Sequence, residues 1–411
     1  MKTRILLVAV VLGVLGVLGA TCVQAGSGAG AILYSFNTSA RFEGMGGAGV
    51  GTPWGPATNH WANPAQLAYR RGVQWEWYKS ELAQGLADDI ALENNEFIVG
   101  VGGITVLWGR TPAGGLFLDM GTQTATDENG NPMGSFSSYM ESTSYGLAVD
   151  AIQVFDFFNS KSDKPLGLSR YGSLSFGYVH KDFEDMLSMD SVIQDPVGGG
   201  TATAKTYDLG WVLGVTPLNT LEEDESLVFL LGMAYGMSTL NGGDEVITHM
   251  DADQSDPLPR AYVKGYSLRG ELALGREDWR RSMPEFLGWT YDTFNPLLSI
   301  TYAYQKSQPG YVWDPQREEY SYEKDTSGNQ DEIGSGYEIG LANIFYIRSG
   351  HFEATYADID ADTEGWGINI QAGDMLGFRY DKATFPQASG LPTVDRETWS
   401  IWFMPLAFCS D

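Results

Sequence analysis

Three stretches of the chain place residues at spacings that chemistry uses. Gly44-Met45-Gly46-Gly47-Ala48-Gly49 has the G-x-G-x-x-G spacing of a dinucleotide-binding turn. That turn works only between a strand and a helix of a βαβ unit. Gly51, Pro53 and Pro56 follow at once and forbid the helix, so Gly44, Gly46, Gly47 and Gly49 read as backbone that packs closely. In Asn63-Pro64-Ala65, the Asn amide can cap or bind nearby backbone and the proline fixes the turn. Gating of a permeation path is the alternative role for this motif. Asp358, Asp360 and Asp362 alternate as calcium ligands do, but the glycine and distal glutamate of an EF-hand are missing. A solvated turn is expected there, with calcium the weaker candidate. His60, His180, His249 and His351 are scattered and form no metal-ligand pair, and no Gly-x-Ser-x-Gly elbow occurs. No catalytic set and no cofactor is expected.

The elements that hold these residues begin with an export signal. Lys2 and Arg4 precede an uncharged apolar run from Ile5 to Leu18, and Val23-Gln24-Ala25 supplies small side chains for cleavage. Residues 1–25 read as a secretory signal peptide. Its removal takes Cys22 and leaves Cys409 alone, so no intramolecular disulfide is expected. The formal charge is −27. That balance excludes nucleic acid as a partner, since no basic patch exists to release counterions. The acids concentrate in loop-like runs such as Glu222-Glu223-Asp224-Glu225.

Beyond the leader no apolar run is long enough to cross a bilayer as a helix. The chain instead alternates with period 2. Leu174, Phe176 and Tyr178 interleave with Ser173, Ser175 and Gly177; Ile300, Tyr302 and Tyr304 interleave with Ser299, Thr301 and Ala303; Trp366, Ile368 and Ile370 interleave with Gly367, Asn369 and Gln371. Each such segment has a large apolar face and a small or polar one, as a membrane barrel requires for its lipid side and its lumen. The fold class is therefore all-β, a transmembrane antiparallel barrel of about 14 strands. The strands start near 72–82, 96–108 and 112–122, pass through 333–348 and 350–359, and end near 395–408. Residues 72–411 form the barrel. Residues 26–71, rich in glycine and proline but carrying Trp54 and Trp61, fit an N-terminal plug (hatch) in the lumen. Residues 152–169 suit either a short interfacial helix or a continuation of strand four. Connections near 184–202, 241–260 and 308–332 are expected outside the cell. Trp75, Trp77, Trp108, Trp289 and Trp402 belong either to interfacial girdles or to the lumen.

Several motifs occur in a recognisable order. Ala40-Arg41-Phe42-Glu43-Gly44-Met45-Gly46-Gly47-Ala48 precedes Asn63-Pro64-Ala65; Tyr207-Asp208-Leu209-Gly210, Leu258-Pro259-Arg260, Tyr337-Glu338, Ile347-Arg348-Ser349-Gly350-His351 and Tyr380-Asp381-Lys382-Ala383 follow. The chain resembles the PorV/PorQ-type branch of the FadL-like (OMPP1/FadL/TodX) outer-membrane barrels over nearly its whole mature length. The resemblance implies a plugged barrel in the outer membrane of a diderm bacterium, with a non-enzymatic transport or secretion role. Its implied partners are outer-membrane lipid, the barrel assembly machinery, and either hydrophobic small molecules or C-terminal domains of secreted cargo. The chain departs from the usual terminal aromatic, because Cys409-Ser410-Asp411 follow Phe408. A soluble exported β-rich binding or adhesion protein, and a barrel enzyme that modifies outer-membrane lipid, are the alternative readings.

Overall fold

A computed structural model describes residues 31–54, 57, 59–82, 90–109, 115–126, 131–159, 167–186, 201–219, 227–243, 246–248, 255–274, 296–310, 312–314, 319–321, 331–372, 376–386 and 393–404. The leader, the Glu222–Glu225 run, His249, Trp289 and the Phe408–Asp411 end lie outside the described residues.

Fourteen antiparallel strands close into a barrel. They are β1 (Gly72–Glu81), β2 (Ala91–Val101), β3 in two pieces (Ile104–Gly109 and Gly115–Thr126), β4 (Pro132–Asp150), β5 (Gly172–Met186), β6 (Thr201–Asn219) and β7 (Leu227–Gly242). The ring continues with β8 (Ala261–Leu274), β9 (Pro296–Pro309), β10 (Glu332–Leu341), β11 (Phe345–Ala354), β12 (Ile359–Ala372), β13 (Leu376–Phe385) and β14 (Val394–Phe403). Each strand pairs with its sequence neighbour, and β1 pairs with both β2 and β14, so no edge is left open. Both pieces of β3 sit between β2 and β4, with Trp108 opposite Phe97 and Gly115 opposite Asn95. We call the end bearing Gly72 and Phe403 proximal and the other distal. The connections from Met186 to Thr201, Gly242 to Ala261 and Pro309 to Glu332 all lie at the distal end.

The alternation reads out as expected on the outside. Phe176, Tyr178, Leu209, Ile300, Tyr337 and Ile370 are exposed, whereas Ser175, Gly177, Asp208, Thr301, Glu338 and Asn369 face inward and are buried. Trp75 and Trp108 belong to the outer face, and Trp402 faces the lumen. Aromatic rings form a band on the outside that runs across the closure. Trp366 meets Tyr380 at 5.3 Å, Tyr380 meets Trp399 at 4.2 Å, and Trp399 stacks on Trp77 at 5.7 Å. Just distal of this band the outer positions become charged, with Lys79, Lys382, Asp395 and Glu397 in ion-pairing contact or close to it. Among the described residues no helix is long and apolar enough to cross a membrane, which leaves a β-barrel untouched; the strands present the apolar outer face that membrane-spanning strands have.

Two strand assignments made from alternation are corrected. The segment 96–108 is not one strand, because Gly102 (φ 58°) and Gly103 (φ 84°) turn the chain between β2 and β3. The segment 333–348 is likewise divided, by Ala342 (φ 53°) and Asn343 (φ 57°) between β10 and β11. A two-residue turn keeps the period-2 pattern nearly in phase, so hydrophobicity alone does not mark it. The choice left open at 152–169 resolves as a helix, Ala151–Asn159. Asp150 starts it by accepting from the Ile152 and Gln153 amides at 2.9 and 3.0 Å. Phe155 and Phe158 stay exposed on its surface at the proximal rim, where an interfacial helix would meet lipid.

The outer face makes a direct prediction. Leu268→Arg places a charge in the apolar belt and should cost about 2–4 kcal/mol if it sits near the bilayer midplane. A lower urea midpoint for the barrel refolded in vesicles would register it; an unchanged midpoint would contradict a lipid-facing Leu268.

Candidate functional site

The described residues of 31–71 lie in the lumen, and their tightest contacts are made with wall backbone. Among the described residues, and apart from Gly72 and Gly100 at the proximal rim, three pairs of inward glycines sit directly opposite each other on neighbouring strands: Gly177 and Gly210, Gly236 and Gly265, and Gly336 and Gly350. A methyl group on Gly177 would overlap Pro64, on Gly210 it would overlap Asn63, and on Gly236 it would overlap Val50. On Gly336 it would come within 2.6 Å of the Met45 Cα, and on Gly350 it would overlap Gly46. The wall glycines are therefore three seats for the plug chain. From the plug side, Gly44 packs on Gly365, and Gly46 lies against the backbone oxygens of His351 and Ser335. Gly46 (φ 71°) and Gly47 (φ 77°) also need the left-handed backbone. Gln305 accepts from the Gly49 and Val50 amides at 3.0 and 2.8 Å. The GxGxxG stretch thus forms a turn after one helical turn (Ala40–Glu43), with no βαβ unit around it.

Asn63 joins plug to wall. Its Nδ2 donates to the Val50 and Trp211 carbonyls, both at 3.0 Å, while its Oδ1 accepts from Ala65 N at 3.0 Å. It caps the short helix Pro64–Tyr69, which starts on proline. Ala65 is buried against Val212 and Ala234.

A buried ion network, unmarked by any spacing in the sequence, crosses the same region. Arg41 of the plug grips Glu338 of β10 with two bonds, Nε to Oε2 at 2.9 Å and Nη2 to Oε1 at 2.6 Å. Its Nη1 donates to the carbonyls of Trp54 and Ala57. Arg348 donates to Glu338 at 2.8 Å and lies 2.7 Å from Asp381, which also accepts from Arg379 at 2.5 and 2.9 Å. None of the five is more than 2% exposed. Register explains the row: Thr301 faces Glu338, Glu338 faces Arg348, and Gly367 faces Asp381. A methyl on Gly367 would overlap the Asp381 carboxylate and reach 3.0 Å from the Arg348 guanidinium, so the absent side chain lets this pair cross β12. The only signal available in sequence was charge at the small-residue positions of alternating strands, as at Glu338 between Tyr337 and Ile339.

A second contact carries a titrating group. Glu43 lies 3.6 Å from the Arg396 guanidinium and accepts from the Tyr78 hydroxyl at 3.3 and 3.4 Å. Burial pushes its carboxyl up to about 7, against the opposing pull of Arg396 and Tyr78.

The plug separates two unlike spaces. Distal of it, the inner wall carries an apolar cluster among its polar residues, not the wholly polar lining the alternation implied. Leu92, Leu116, Leu118, Met140 and Phe183 are buried there and form one cluster. Strands in this region carry apolar residues inward and charged ones outward, because the barrel here continues past the aromatic band. Leu33, Tyr34 and Trp61 of the N-terminal segment occupy the chamber. Tyr34 packs on Phe183 at 5.5 Å and shares a hydrogen bond with Ser142 at 2.8 Å. Lys181 reaches in over the Tyr34 and Trp61 rings at 4.7 and 5.0 Å, but its charge is met by Asp208 at 2.6 Å. Proximal of the plug lies a vestibule of about 170 Å3.

Asp358, Asp360 and Asp362 are at the distal end, with His351 3.2 Å from Asp360 and 3.0 Å from Asp362 on the exposed outer face. Asp358 itself ends a helical turn with φ 50°. Among the described residues no group of three or more His, Cys, Asp or Glu could hold a metal ion.

No family model matches the sequence, and no curated protein matches it. Among solved structures, the chain is similar to the TodX deltaS2S3 mutant monoaromatic hydrocarbon channel (12% identity, 89% of this chain and 97% of that chain, TM-score 0.36). It is similar also to the Pseudomonas putida toluene transporter TodX (11%, 93% and 98%, 0.34) and to a Pseudomonas aeruginosa FadL homologue (10%, 92% and 98%, 0.35).

The network and the carboxyl yield two predictions. Glu338→Gln strips a buried carboxylate from beside Arg41 and Arg348, a loss of about 3–5 kcal/mol for such pairs. Protease should then cut within residues 31–71 while the barrel still migrates as folded; a protected plug would refute the role given to Glu338. For Glu43, the docked plug binds a proton more tightly than free plug does. That contribution is complete below about pH 4.5 and is lost as pH rises through about 7. Amide exchange in residues 40–49 should therefore quicken between pH 5 and pH 8 beyond its intrinsic dependence, and Glu43→Gln should remove the excess.

Proposed function

We propose that this chain is an outer-membrane barrel that binds small hydrophobic molecules in its distal chamber and passes them inward. One observation carries the reading: the inner wall distal of the plug is lined by Leu92, Leu116, Leu118, Met140 and Phe183. A lumen that served only water-soluble solutes would have no use for a continuous apolar cluster beside the polar residues there. The chamber's single buried ammonium, among the described residues, is neutralised by Asp208, which favours an uncharged guest. Burying one large apolar side chain is worth about 1.5–3 kcal/mol. A guest must repay that much for each of Leu33 and Tyr34 that it displaces. These two are held by side-chain contacts, whereas Met45, Gly46, Val50, Asn63 and Pro64 sit in the backbone seats. In this reading residues 1–25 are the leader, residues 26–71 the plug and residues 72–411 the barrel. The distal loops face the outside of a diderm cell, and Gly44, Gly46, Gly47, Gly49, Asn63, Pro64 and Ala65 keep the plug in place.

The seats themselves favour a second reading. A plug held this closely suits a barrel that works with its lumen shut, as a docking platform for C-terminal domains of secreted cargo in the manner of the PorV/PorQ-type branch.

A reversible lock separates the two. Thr38 and Asn94 touch at 3.4 Å across plug and wall. In a Cys409→Ser background, Thr38→Cys with Asn94→Cys should tie the N-terminal segment down when oxidised. Hydrocarbon entry into vesicles bearing the barrel should fall at least tenfold and recover with reductant. Equal entry in both redox states, or none above protein-free vesicles, sinks the uptake reading. Cargo capture that persists in the locked state would carry the docking reading.

A further inference from the structure

Glu96 of β2 is a buried carboxylate whose two oxygens accept no hydrogen bond among the described residues. The plug brings His60 against it, with Nε2 2.8 Å from Oε2. That contact is close but is not aligned as a hydrogen bond, and neither imidazole nitrogen has a hydrogen-bond partner. Two neutral oxygens flank the pair. Asn94, two residues along the same inner face of β2, donates through Nδ2 to Thr38 and keeps its Oδ1 unpartnered. Ser144 of β4 lies across Gly109 from Glu96, and its Oγ is unpartnered as well. None of the four residues is more than 3% exposed.

Strand register gathers these groups. Phe97 faces Trp108 and Gly109 faces Ser144, so Glu96, Gly109 and Ser144 follow one another around the inner wall. A methyl group on Gly109 would lie 3.5 Å from both the Glu96 Cγ and the Ser144 Oγ, so no side chain separates them. An ionised carboxylate is costly to bury without a cation or hydrogen-bond donors. The cations beside this row are committed elsewhere. Arg70 pairs with Glu76, which faces Glu96 from β1, and Lys181, which faces Ser144, pairs with Asp208. Two ligand atoms that each bind one zinc ion at about 2.0–2.2 Å come to within about 3 Å of each other. The His60–Glu96 contact has that spacing.

We propose that His60 and Glu96 bind a divalent transition-metal ion of the zinc class, with Asn94 and Ser144 supplying neutral oxygen. An imidazole nitrogen beside a carboxylate selects such an ion over calcium, whose ligands are all oxygen. The site has two donors of the His, Cys, Asp or Glu type and so belongs to no cluster of three. One of these donors comes from the plug and the other from the wall. The site is therefore complete only when the plug is docked, and the bound ion ties residues 59–66 to β2 and β4.

The test uses the folded chain in detergent micelles, stripped with EDTA, with zinc chloride as the probe and a chromophoric chelator as competitor. One tightly held zinc ion per chain is expected, beyond any held weakly by His351 and Asp362 on the outer face. His60→Gln and Glu96→Gln should each weaken that ion at least tenfold, and His351→Gln should leave it unchanged. In a Cys22→Ser, Cys409→Ser background, His60→Cys should bind cobalt and show a thiolate-to-cobalt charge-transfer band, which a histidine that only paired with Glu96 would not foreshadow. That band decides the matter where a glutamine variant loses its folded migration. The proposal is overturned if zinc binds the wild-type chain no more tightly than the His60→Gln chain, if only His351→Gln releases the ion, or if the folded cysteine variant gives no cobalt band. None of these outcomes bears on uptake or cargo docking, because neither guest nor cargo takes part.

Discussion

A peptide chain laid inside a barrel must approach the wall more closely than ordinary side chains permit. The wall solves this by omitting side chains in register. Gly177 and Gly210, Gly236 and Gly265, and Gly336 and Gly350 are cross-strand partners, and each pair opens a slot two residues wide on the inner surface. Pro64, Val50 and Met45–Gly46 lie in those slots. Plug and wall cannot vary independently there, since any larger residue at a seat displaces the backbone it faces. Everything else about the lumen follows from that placement: where Arg41 meets Glu338, which space lies above the plug, and which lies below.

Position alone does not hold the plug; charge completes the attachment. Three guanidiniums and two carboxylates share one buried region, with Arg41 from the plug and Arg348, Arg379, Glu338 and Asp381 from the wall. Buried ions are costly unless paired and hydrogen-bonded, and the forked geometry of arginine lets one carboxylate serve two partners. The result is less a source of net stability than a demand for one arrangement. Glu338 satisfied by Arg41 requires the plug docked in a single register. Glu43 adds a softer contact, whose protonation follows pH near neutrality because burial and Arg396 act on it in opposite directions.

The two spaces that result are chemically opposite. The distal chamber carries an apolar cluster, and its buried Lys181 ammonium is met by Asp208. The proximal vestibule is lined with guanidiniums and aromatic rings. The plug therefore stands between two unlike linings.

The wall was legible in the sequence because its physics is local. Alternation of Phe176 with Ser175, or Trp366 with Gly367, fixes which side chains share a face whatever the rest of the chain does, since the period of a strand is 2. That established the all-β barrel of about fourteen strands, now closed at fourteen, and a filler segment ahead of β1. Where turns preserved the alternation, as at Gly102-Gly103 and Ala342-Asn343, even the local pattern gave no boundary. The apolar chamber was hidden for a similar reason: Leu116 and Leu118 facing inward read the same as residues facing lipid. The glycine seats, the Arg41–Glu338 grip and the proximal vestibule were decided only by tertiary structure. Each joins residues more than a hundred positions apart, and it is strand register around the closed ring, not spacing along the chain, that brings them together.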